Sequence, residues 1–273
     1  KLPKGLVENP RHVNVVGLGR RGNPRAEGWQ SFEGDLLAPG LTDLLTEVQP
    51  DVILHTVAAP KTALLKDQLQ TNVVGTEHLL RSIRDAHLNC RTVILGSAAE
   101  YGVQPNPVDE TDCPQPMSEY GIAKLAQTQT AQLLAERFEL PVMIGRIFNV
   151  YGKTPNTLSV AAIASQIARL ERQGLAYPRL KVYNLLAKRD FIHVNDVVRG
   201  LLAIAHAGKP GEIYNIGSGE AVSVETIANR LLTMSRLTHF ELTPQGDQVE
   251  EFSEARVSKL MVATGWKPSI PLD

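Results

Sequence analysis

Apolar runs alternate with amphipathic stretches along the first half of the chain. Four runs have the length and apolar continuity of buried strands: 12–18, 51–60, 91–98 and 140–150. Three stretches between them have the apolar spacing of helices: 41–48, 72–86 and 118–138. Strands of this kind that alternate with helices predict an α/β fold, a doubly wound, Rossmann-like parallel sheet covered on both faces. Ligands of such folds bind at the carboxyl ends of the strands.

The pattern changes after Gly152, where helical stretches at 159–173 and 194–207 mix with short strands and loops. We interpret residues 1–150 as a dinucleotide-binding domain to which residues 189–208 return. Residues 151–273 then form mainly a smaller, discontinuous α/β substrate-binding lobe.

The start of the chain does not match a complete dinucleotide fold. Such a fold opens with a strand and a glycine-rich turn that holds a pyrophosphate. Gly17 and Gly19 follow the run that we interpret as the second strand, so they do not supply this turn. We therefore expect the N-terminal strand and the glycine-rich loop to lie upstream of Lys1 and to be missing here.

Composition narrows the class of protein. Hydrophobic residues make up 43% of the chain, charged residues 21%, and the net charge is -1, as in ordinary globular enzymes. No basic block supports binding to nucleic acid or a membrane surface, and no run is long enough to span a bilayer. Cys90 and Cys113 have no metal-ligand spacing and suggest free thiols in a reducing compartment. We expect a soluble cytoplasmic protein without a bound metal.

Tyr120 and Lys124 are the strongest candidates for chemistry. Their spacing of four places both side chains on one face of the predicted helix. An ammonium ion beside a phenol lowers the pKa of the phenol and makes it a usable proton donor or acceptor. The alternative is an ordinary surface helix with an amphipathic tyrosine and a solvated lysine. Ser97 and Asn149, at the ends of the third and fourth predicted strands, are suitably placed to join a site.

The order of several motifs points to a family. The matching segments are 50–59, 72–76, 96–102, Tyr120 to Lys124, 146–152, 189–198, 212–224 and 264–268. With them the chain resembles the extended short-chain dehydrogenase/reductases that modify nucleotide sugars, the NAD-dependent epimerase/dehydratase family.

The resemblance implies roles for five residues. Tyr120 would be the catalytic acid/base, and Lys124 would hold the nicotinamide ribose. Ser97 would hydrogen-bond the reacting sugar oxygen, since a hydroxyl both donates and accepts. Asn149 would contact the substrate, and the guanidinium of Arg189 would bind its diphosphate.

Plainer interpretations of the same residues remain open. Arg189 could instead pair with the neighbouring Asp190, and Asn149 could be a structural amide at a strand end. We expect supporting or structural roles for three further residues in these motifs: His55, Asn72 and His193.

The resemblance also predicts the cofactor. Relatives that use NAD carry an aspartate at the end of the second strand, where it accepts from the ribose hydroxyls. Here Gly19 occupies that place, followed by Arg20 and Arg21, which favour the 2′-phosphate of NADP, with NAD possible. Two solvated arginines in a turn are the alternative. The family pattern adds four cofactor contacts: Asp35, Leu36, Ala58 and Ala59.

The turn after Ser97 bears on the reaction. Dehydratases of this family place acidic residues directly after this position, to move the protons of water elimination. This chain has Ala98 and Ala99 there and an acid only at Glu100, so dehydration is disfavoured. The segments 96–102 and 156–174 are most similar to reductases acting on GDP-4-keto-6-deoxymannose. Hydride transfer from NADPH to the C4 ketone, with Tyr120 as proton donor, is the implied reaction.

Other possibilities remain. The family's second arginine before the closing Ser-Lys-Leu is replaced by Gly246, and Arg256 stands where an aspartate is expected, which leaves the nucleotide open. A 4-epimerase with retained NAD is one alternative, and a non-catalytic dinucleotide-binding protein of the same fold is another. The resemblance also implies a homodimer.

Overall fold

The computed structural model describes residues 13–20, 30–153 and 159–272. Its strands are β1 (Val16–Gly19), β2 (Gln30–Glu33), β3 (Val52–His55), β4 (Arg91–Ser97), β5 (Val142–Ile147), β6 (Asn149–Tyr151), β7 (Arg179–Tyr183), β8 (Lys188–His193), β9 (Ile213–Ile216), β10 (Ala221–Ser223), β11 (Glu241–Gln245) and β12 (Phe252–Ser253). Its helices are α1 (Leu41–Val48), α2 (Leu65–Leu69), α3 (Gly75–Asp85), α4 (Glu119–Phe138), α5 (Ser159–Gln173), α6 (Val194–Ala207), α7 (Val224–Thr233) and α8 (Ser258–Thr264). A π-helical segment, Gln70–Val74, joins α2 to α3, and a 3-10 turn, Ala98–Glu100, follows β4.

The largest parallel sheet has the strand order β3-β4-β5-β9. Strands β1 and β2 form a separate parallel pair. The sequence pattern correctly predicted an α/β fold with a parallel sheet, although β2 and β9 were not foreseen as strands. Strand β2 has the polar sequence QSFE and β9 the mixed sequence IYNI, so neither shows the continuous apolar run by which the other strands of the pattern were recognised.

Helices cover both faces of this sheet. Ile94 packs in a core with residues of α1, α3 and α4, whereas its neighbour Val93 packs in a second core with residues of α6 and α8. Successive side chains of a strand point to opposite faces, so these two cores lie on opposite sides of the sheet. Both residues are fully buried, which explains why the strand sequences are apolar without interruption.

The predicted strand at 140–150 is divided between two sheets. Residues of β5 pair with β4 and β9, whereas β6, which begins only two residues later, pairs with β8. Strand β8 also pairs with β10 and β12, so this smaller sheet combines residues from distant parts of the chain. The remaining parallel pair is β7 with β11. The prediction of one continuous strand was therefore wrong at Phe148.

Three of the predicted helices have the predicted bounds: α1, α5 and α6. Helix α4 begins one residue later than expected because Ser118 is its N-cap, whose Oγ accepts from the Gly121 N–H at 3.0 Å. It ends at Phe138, and its C-cap is Glu139, whose φ of 55° is left-handed. The domain boundary near residue 151 stays a prediction. Within the described ranges, no helix combines the length and apolarity needed to cross a bilayer.

Candidate active site

The turn that follows β4 is built by its own polar side chains. Ser97 caps the 3-10 turn by accepting from the Ala99 N–H at 3.2 Å. The Glu100 carboxylate accepts from the Ser97 N–H at 2.8 Å, which completes a capping box. These bonds hold Ser97 at the carboxyl end of a central strand, where the sheet rule places ligands.

Helix α4 lies directly against this turn. A Cβ atom at Gly121 would collide with the carbonyl oxygen of Ala99, so glycine permits this close approach. The approach brings the Tyr120 phenol beside Ser97, close enough for the Ser97 side chain to act on the pKa of the phenol. The sequence prediction that these residues share one site therefore has a geometric basis, while their catalytic roles remain a proposal.

The structure contradicts the predicted electrostatic effect of Lys124 on Tyr120. Burial raises the pKa of Tyr120, the charge of Glu100 raises it further, and the hydrogen bond from Ser97 opposes both. The Lys124 ammonium instead donates to the carbonyl of Leu95 and to Oε1 of Gln127. A shared helix face is thus not enough to lower the pKa of the phenol, because the Lys124 ammonium bonds the carbonyl of Leu95 in β4 and the Gln127 side chain.

Lys124 belongs to a buried polar network. The Gln127 side chain in turn donates from Nε2 to Thr76 Oγ1 at 2.8 Å, and Thr76 Oγ1 lies 3.1 Å from His55 Nε2. Burial lowers the pKa of Lys124 to about 8, against the opposing charge of Glu100. Burial and, second, the Lys124 charge lower the pKa of His55 to about 4, so this histidine is neutral at pH 7. His55 therefore has a hydrogen-bonded place in the core, as expected.

Glu100 is not available for proton transfer. Its carboxylate is fully buried and bonds Nε of Arg146 at 2.8 Å, and only 2% of the Arg146 side chain is exposed. The Arg146 guanidinium also lies over the Tyr101 ring, 4.5 Å from its centroid. This ion pair under Ser97 was not foreseen, because Glu100 and Arg146 come from different strand ends and their spacing carries no signal.

The residues predicted to hold a cofactor converge in part on the π-helical segment. Asn72 is buried and accepts from the Ala59 N–H at 2.9 Å, which fixes the backbone of the predicted contacts at 58 and 59. A Cβ at Gly75 would lie 2.8 Å from Leu36, so the segment that carries Asp35 and Leu36 meets the start of α3.

Of the two arginines predicted to select NADP, the structure describes Arg20, which follows the last residue of β1. Arg20 is exposed immediately after Gly19, whereas Arg21 lies outside the described residues. Asp35 is exposed, and its Oδ1 accepts from the Leu37 N–H at 2.9 Å. A carboxylate has further acceptor sites, so it can accept from another donor as well. An exposed guanidinium at a strand end suits a phosphate group, so the described residues fit a phosphorylated dinucleotide.

Two of the predicted substrate residues, Asn149 and Arg189, lie on the smaller sheet, whereas Ser97 ends β4 of the larger one. Asn149 begins β6 and donates from Nδ2 to the Asp190 carbonyl at 3.1 Å, which joins β6 to β8. Arg189 does not pair with Asp190, contrary to one interpretation of the sequence. Its guanidinium pairs with Glu251, while the Asp190 carboxylate is buried and accepts from the backbone of Ser218 at 2.7 Å.

His193 serves a structural role, because its Nδ1 accepts from the Asn195 N–H at 3.2 Å and caps α6. In the part of the chain that the structure describes, no three potential metal ligands cluster.

Lys61 was missed by the sequence prediction. Its Nζ lies over the ring of Tyr120, 5.1 Å from the centroid. It follows Ala59 in the loop after β3, so the rule that selected Ser97, a polar residue beyond the carboxyl end of a strand, would also have selected it.

Comparison with known proteins identifies the family of the chain. Residues 3–217 match the NAD dependent epimerase/dehydratase family. GDP-6-deoxy-D-mannose reductase of Pseudomonas aeruginosa is 28% identical over 87% of this chain and 82% of its own length. The dTDP-D-glucose 4,6-dehydratase of Mus musculus is also 28% identical, over 90% of this chain and 71% of its own.

Solved structures agree in overall fold. MoeE5 in complex with UDP-glucose and NAD superposes with a TM-score of 0.81 at 29% identity, over 95% of this chain and 86% of that one. RMD from Pseudomonas aeruginosa complexed with NADPH has a TM-score of 0.80 at 26% identity, over 89% and 86%. The chain therefore belongs to the NAD dependent epimerase/dehydratase family of NAD(P)-dependent enzymes.

Proposed function

We propose that this protein reduces the C4 ketone of a nucleotide-diphosphate 4-keto-6-deoxyhexose, with NADP as cofactor and a GDP-linked sugar favoured. The observation that carries the proposal is the approach of the first turn of α4 to the turn after β4, which brings the Tyr120 phenol beside Ser97 at the carboxyl end of a central strand. A ketone reduction ends when an acid protonates the new alkoxide, and a tyrosine phenol, which is protonated at neutral pH, can give that proton. An epimerase must begin with the reverse step, in which the tyrosine acts as base.

Each residue has a defined task in this reaction. The bound nicotinamide dinucleotide would supply the hydride. Ser97 would donate to the C4 oxygen and so stabilise the negative charge that develops there. Tyr120 would give its phenolic proton to the same oxygen, and Asn149 and Arg189 would hold the remainder of the substrate. Lys124 would support the site through its bond to the carbonyl of Leu95, near the carboxyl end of β4.

The surroundings of Ser97 argue against dehydration. Ala98 and Ala99 carry no acid or base, and the Glu100 carboxylate is occupied by Arg146 and by the Ser97 N–H. Water elimination needs a further general acid and base beside the tyrosine. This combination supports a reductase over the dehydratases that match the chain at similar identity.

The proposal is tested by mixing the purified protein with NADPH and a panel of GDP-, UDP- and dTDP-linked 4-keto-6-deoxyhexoses. We expect loss of NADPH absorbance and a 4-hydroxy product with at least one GDP-linked sugar. NAD-dependent interconversion of 4-epimers without net oxidation of cofactor would establish the epimerase instead. Binding of sugars with no turnover in either assay would reject both activities.

The preference for NADP is tested at Arg20. Because this exposed guanidinium stands at the end of β1, Arg20→Asp should repel the 2′-phosphate and lower the ratio of kcat/KM for NADPH to that for NADH by about tenfold or more, the effect of one charged hydrogen bond. Arg20→Gln is the matched control, which removes the attraction without adding repulsion and should have a smaller effect. An unchanged ratio in Arg20→Asp would show that Arg20 does not belong to the cofactor site.

The homodimer and the cytoplasmic location remain predictions from the sequence.

A further inference from the structure

Tyr101 is a buried tyrosine that the proposed reaction does not use. It is only 1% exposed and packs in a small apolar core with Val108, Phe148 and Ala255. Phe148 lies between β5 of the larger sheet and β6 of the smaller one, and its ring centroid is 6.4 Å from that of Tyr101. Tyr101 therefore lies where the two sheets meet.

The hydroxyl of Tyr101 has a specific partner in β9. It donates to Oδ1 of Asn215 at 2.8 Å, and Asn215 is fully buried. Burial raises the pKa of Tyr101 to about 12, against the opposing charge of Arg146, so the phenol keeps the proton that it donates. A hydrogen bond between two buried side chains orients both of them, since water is not there to replace either partner.

Tyr101 also contacts the residues that support Ser97. The Arg146 guanidinium lies over the Tyr101 ring, 4.5 Å from the centroid, and Nε of Arg146 bonds the Glu100 carboxylate at 2.8 Å. The same carboxylate accepts from the Ser97 N–H at 2.8 Å. Tyr101 is in addition the C-cap of the 3-10 turn that Ser97 begins. A shift of the Tyr101 side chain would therefore disturb the ion pair that holds Ser97.

Asn215 connects this turn to the smaller sheet. Its Nδ2 donates to the Val108 carbonyl at 2.9 Å, and Val108 forms a parallel bridge with Ala255. The Ala255 N–H donates in turn to Oδ2 of Asp190, a buried residue of β8, at 3.1 Å. A series of bonds therefore connects the turn after β4 with a strand that is predicted to contact substrate.

We propose that Tyr101 and Asn215 are positioning residues of the reduction. The bond between their side chains holds the turn that carries Ser97 in register with the smaller sheet, which carries the predicted substrate residues Asn149 and Arg189. This inference rests on the proposed function, in which both residues act through Ser97 and not on the substrate itself. Because Ser97 must reach the ketone oxygen, an error of about 1 Å in this register should slow the reaction strongly.

The test is Tyr101→Phe, which removes the hydroxyl and keeps the ring beside Arg146. Single-turnover oxidation of NADPH is followed by stopped flow, with saturating keto sugar and with protein in saturating excess over NADPH. The first-order rate constant then does not depend on the fraction of protein that is folded. It should fall by roughly tenfold or more in Tyr101→Phe. An unchanged rate constant, with or without a loss of thermal stability, would show a merely structural role and overturn the proposal.

Tyr214→Phe is the matched control. Tyr214 is also 1% exposed, its hydroxyl accepts from the Lys209 N–H at 2.8 Å, and Nζ of Lys259 lies 5.2 Å from its ring centroid. Successive side chains of β9 point to opposite faces, so Tyr214 packs with α6 and α8 on the face opposite to Asn215. Tyr214→Phe should lose a comparable amount of stability and keep the rate constant. Equal slowing in the two variants would overturn the proposal.

A double variant separates positioning from stability, and it also serves if Tyr101→Phe alone fails to fold. Tyr101→Phe leaves Oδ1 of Asn215 buried without its donor, which costs stability. Adding Asn215→Leu removes that acceptor, while the Val108 carbonyl keeps a donor in the Arg256 N–H at 2.9 Å. The double variant should therefore unfold at a higher temperature than Tyr101→Phe and remain as slow in hydride transfer. Recovery of the rate constant together with the stability would refute a positioning role.

Amide hydrogen exchange tests the positioning without turnover. Because the Ser97 N–H is bonded to Glu100, exchange in a peptide that covers the 3-10 turn should become severalfold faster in Tyr101→Phe and stay unchanged in Tyr214→Phe. If exchange is faster as expected but the unmodified protein reduces no keto sugar, the positioning stands and the proposed reaction fails. If keto sugars are reduced, and Tyr101→Phe changes neither exchange nor the rate constant, the reaction stands and the positioning role fails.

Discussion

Replacing Tyr120 by phenylalanine will lower kcat for ketone reduction by roughly two to four orders of magnitude, the usual contribution of a positioned proton donor. The hydroxyl of Tyr120 lies beside Ser97 and is protonated at neutral pH, since burial raises its pKa further above the ordinary value of a phenol. The phenylalanine ring retains the volume of the side chain and the cation-π contact with Lys61, so the packing of α4 should persist. Steady-state rates with NADPH and the best keto sugar of the panel measure the effect.

The matched control for this variant is Tyr177→Phe, which removes the hydroxyl of a tyrosine that is 78% exposed. We expect unchanged kcat in the control, and unchanged thermal unfolding and sugar binding in both variants. A Tyr120→Phe enzyme with at least a tenth of the normal kcat would exclude this phenol as the proton donor. Another group or a water molecule would then have to protonate the alkoxide.

Removing the guanidinium under Ser97 will have the largest effect on stability. Arg146→Met should reduce the free energy of unfolding by about 3–5 kcal/mol, because it leaves the buried Glu100 carboxylate without its countercharge. Both side chains are almost completely buried, at 2% and 0% exposed. Urea-induced unfolding at pH 7, followed by circular dichroism, measures the change.

A pair with the same bond length at the surface provides the control. Nε of Arg179 lies 2.8 Å from the Glu241 carboxylate, but these side chains are 69% and 56% exposed. Arg179→Met should therefore cost less than about 1 kcal/mol. Adding Glu100→Gln to Arg146→Met should recover part of the lost stability, since the double variant buries no unpaired charge. Equal losses for Arg146→Met and Arg179→Met would show that the buried pair contributes no more than a surface one.

The same pair connects stability to catalysis. Glu100 is bonded both to Arg146 and to the Ser97 N–H, so loss of Arg146 would leave the Ser97 backbone held by an uncompensated carboxylate. The chain thus uses the acid nearest to the candidate active site as a structural support. The occupied carboxylate is consistent with reduction, a reaction that needs one proton donor beyond the hydride source.

Much of the fold could be predicted from local sequence. The bounds of α1, α5 and α6 follow from apolar spacing and end signals in their own residues. The buried strands β4 and β5 were evident from continuous apolar runs, because a sheet covered on both faces requires apolar residues at every position. The rule that ligands gather at carboxyl ends of parallel strands was enough to select Ser97, and helical spacing was enough to place Tyr120 and Lys124 on the same helix face.

Long-range packing settled the directions and partners of the polar side chains. Lys124 shares a helix face with Tyr120, yet its ammonium bonds Leu95 and Gln127. The direction of a flexible side chain depends on the acceptors around it, which residue spacing along a helix does not specify. The change of sheet between β5 and β6 depends on distant strands, because β5 pairs with β9 whereas β6 pairs with β8. Lys61 meets Tyr120 only when separate elements assemble. Spacing along a chain specifies neighbours within one helix or strand, whereas contacts between elements depend on the packing of the whole molecule.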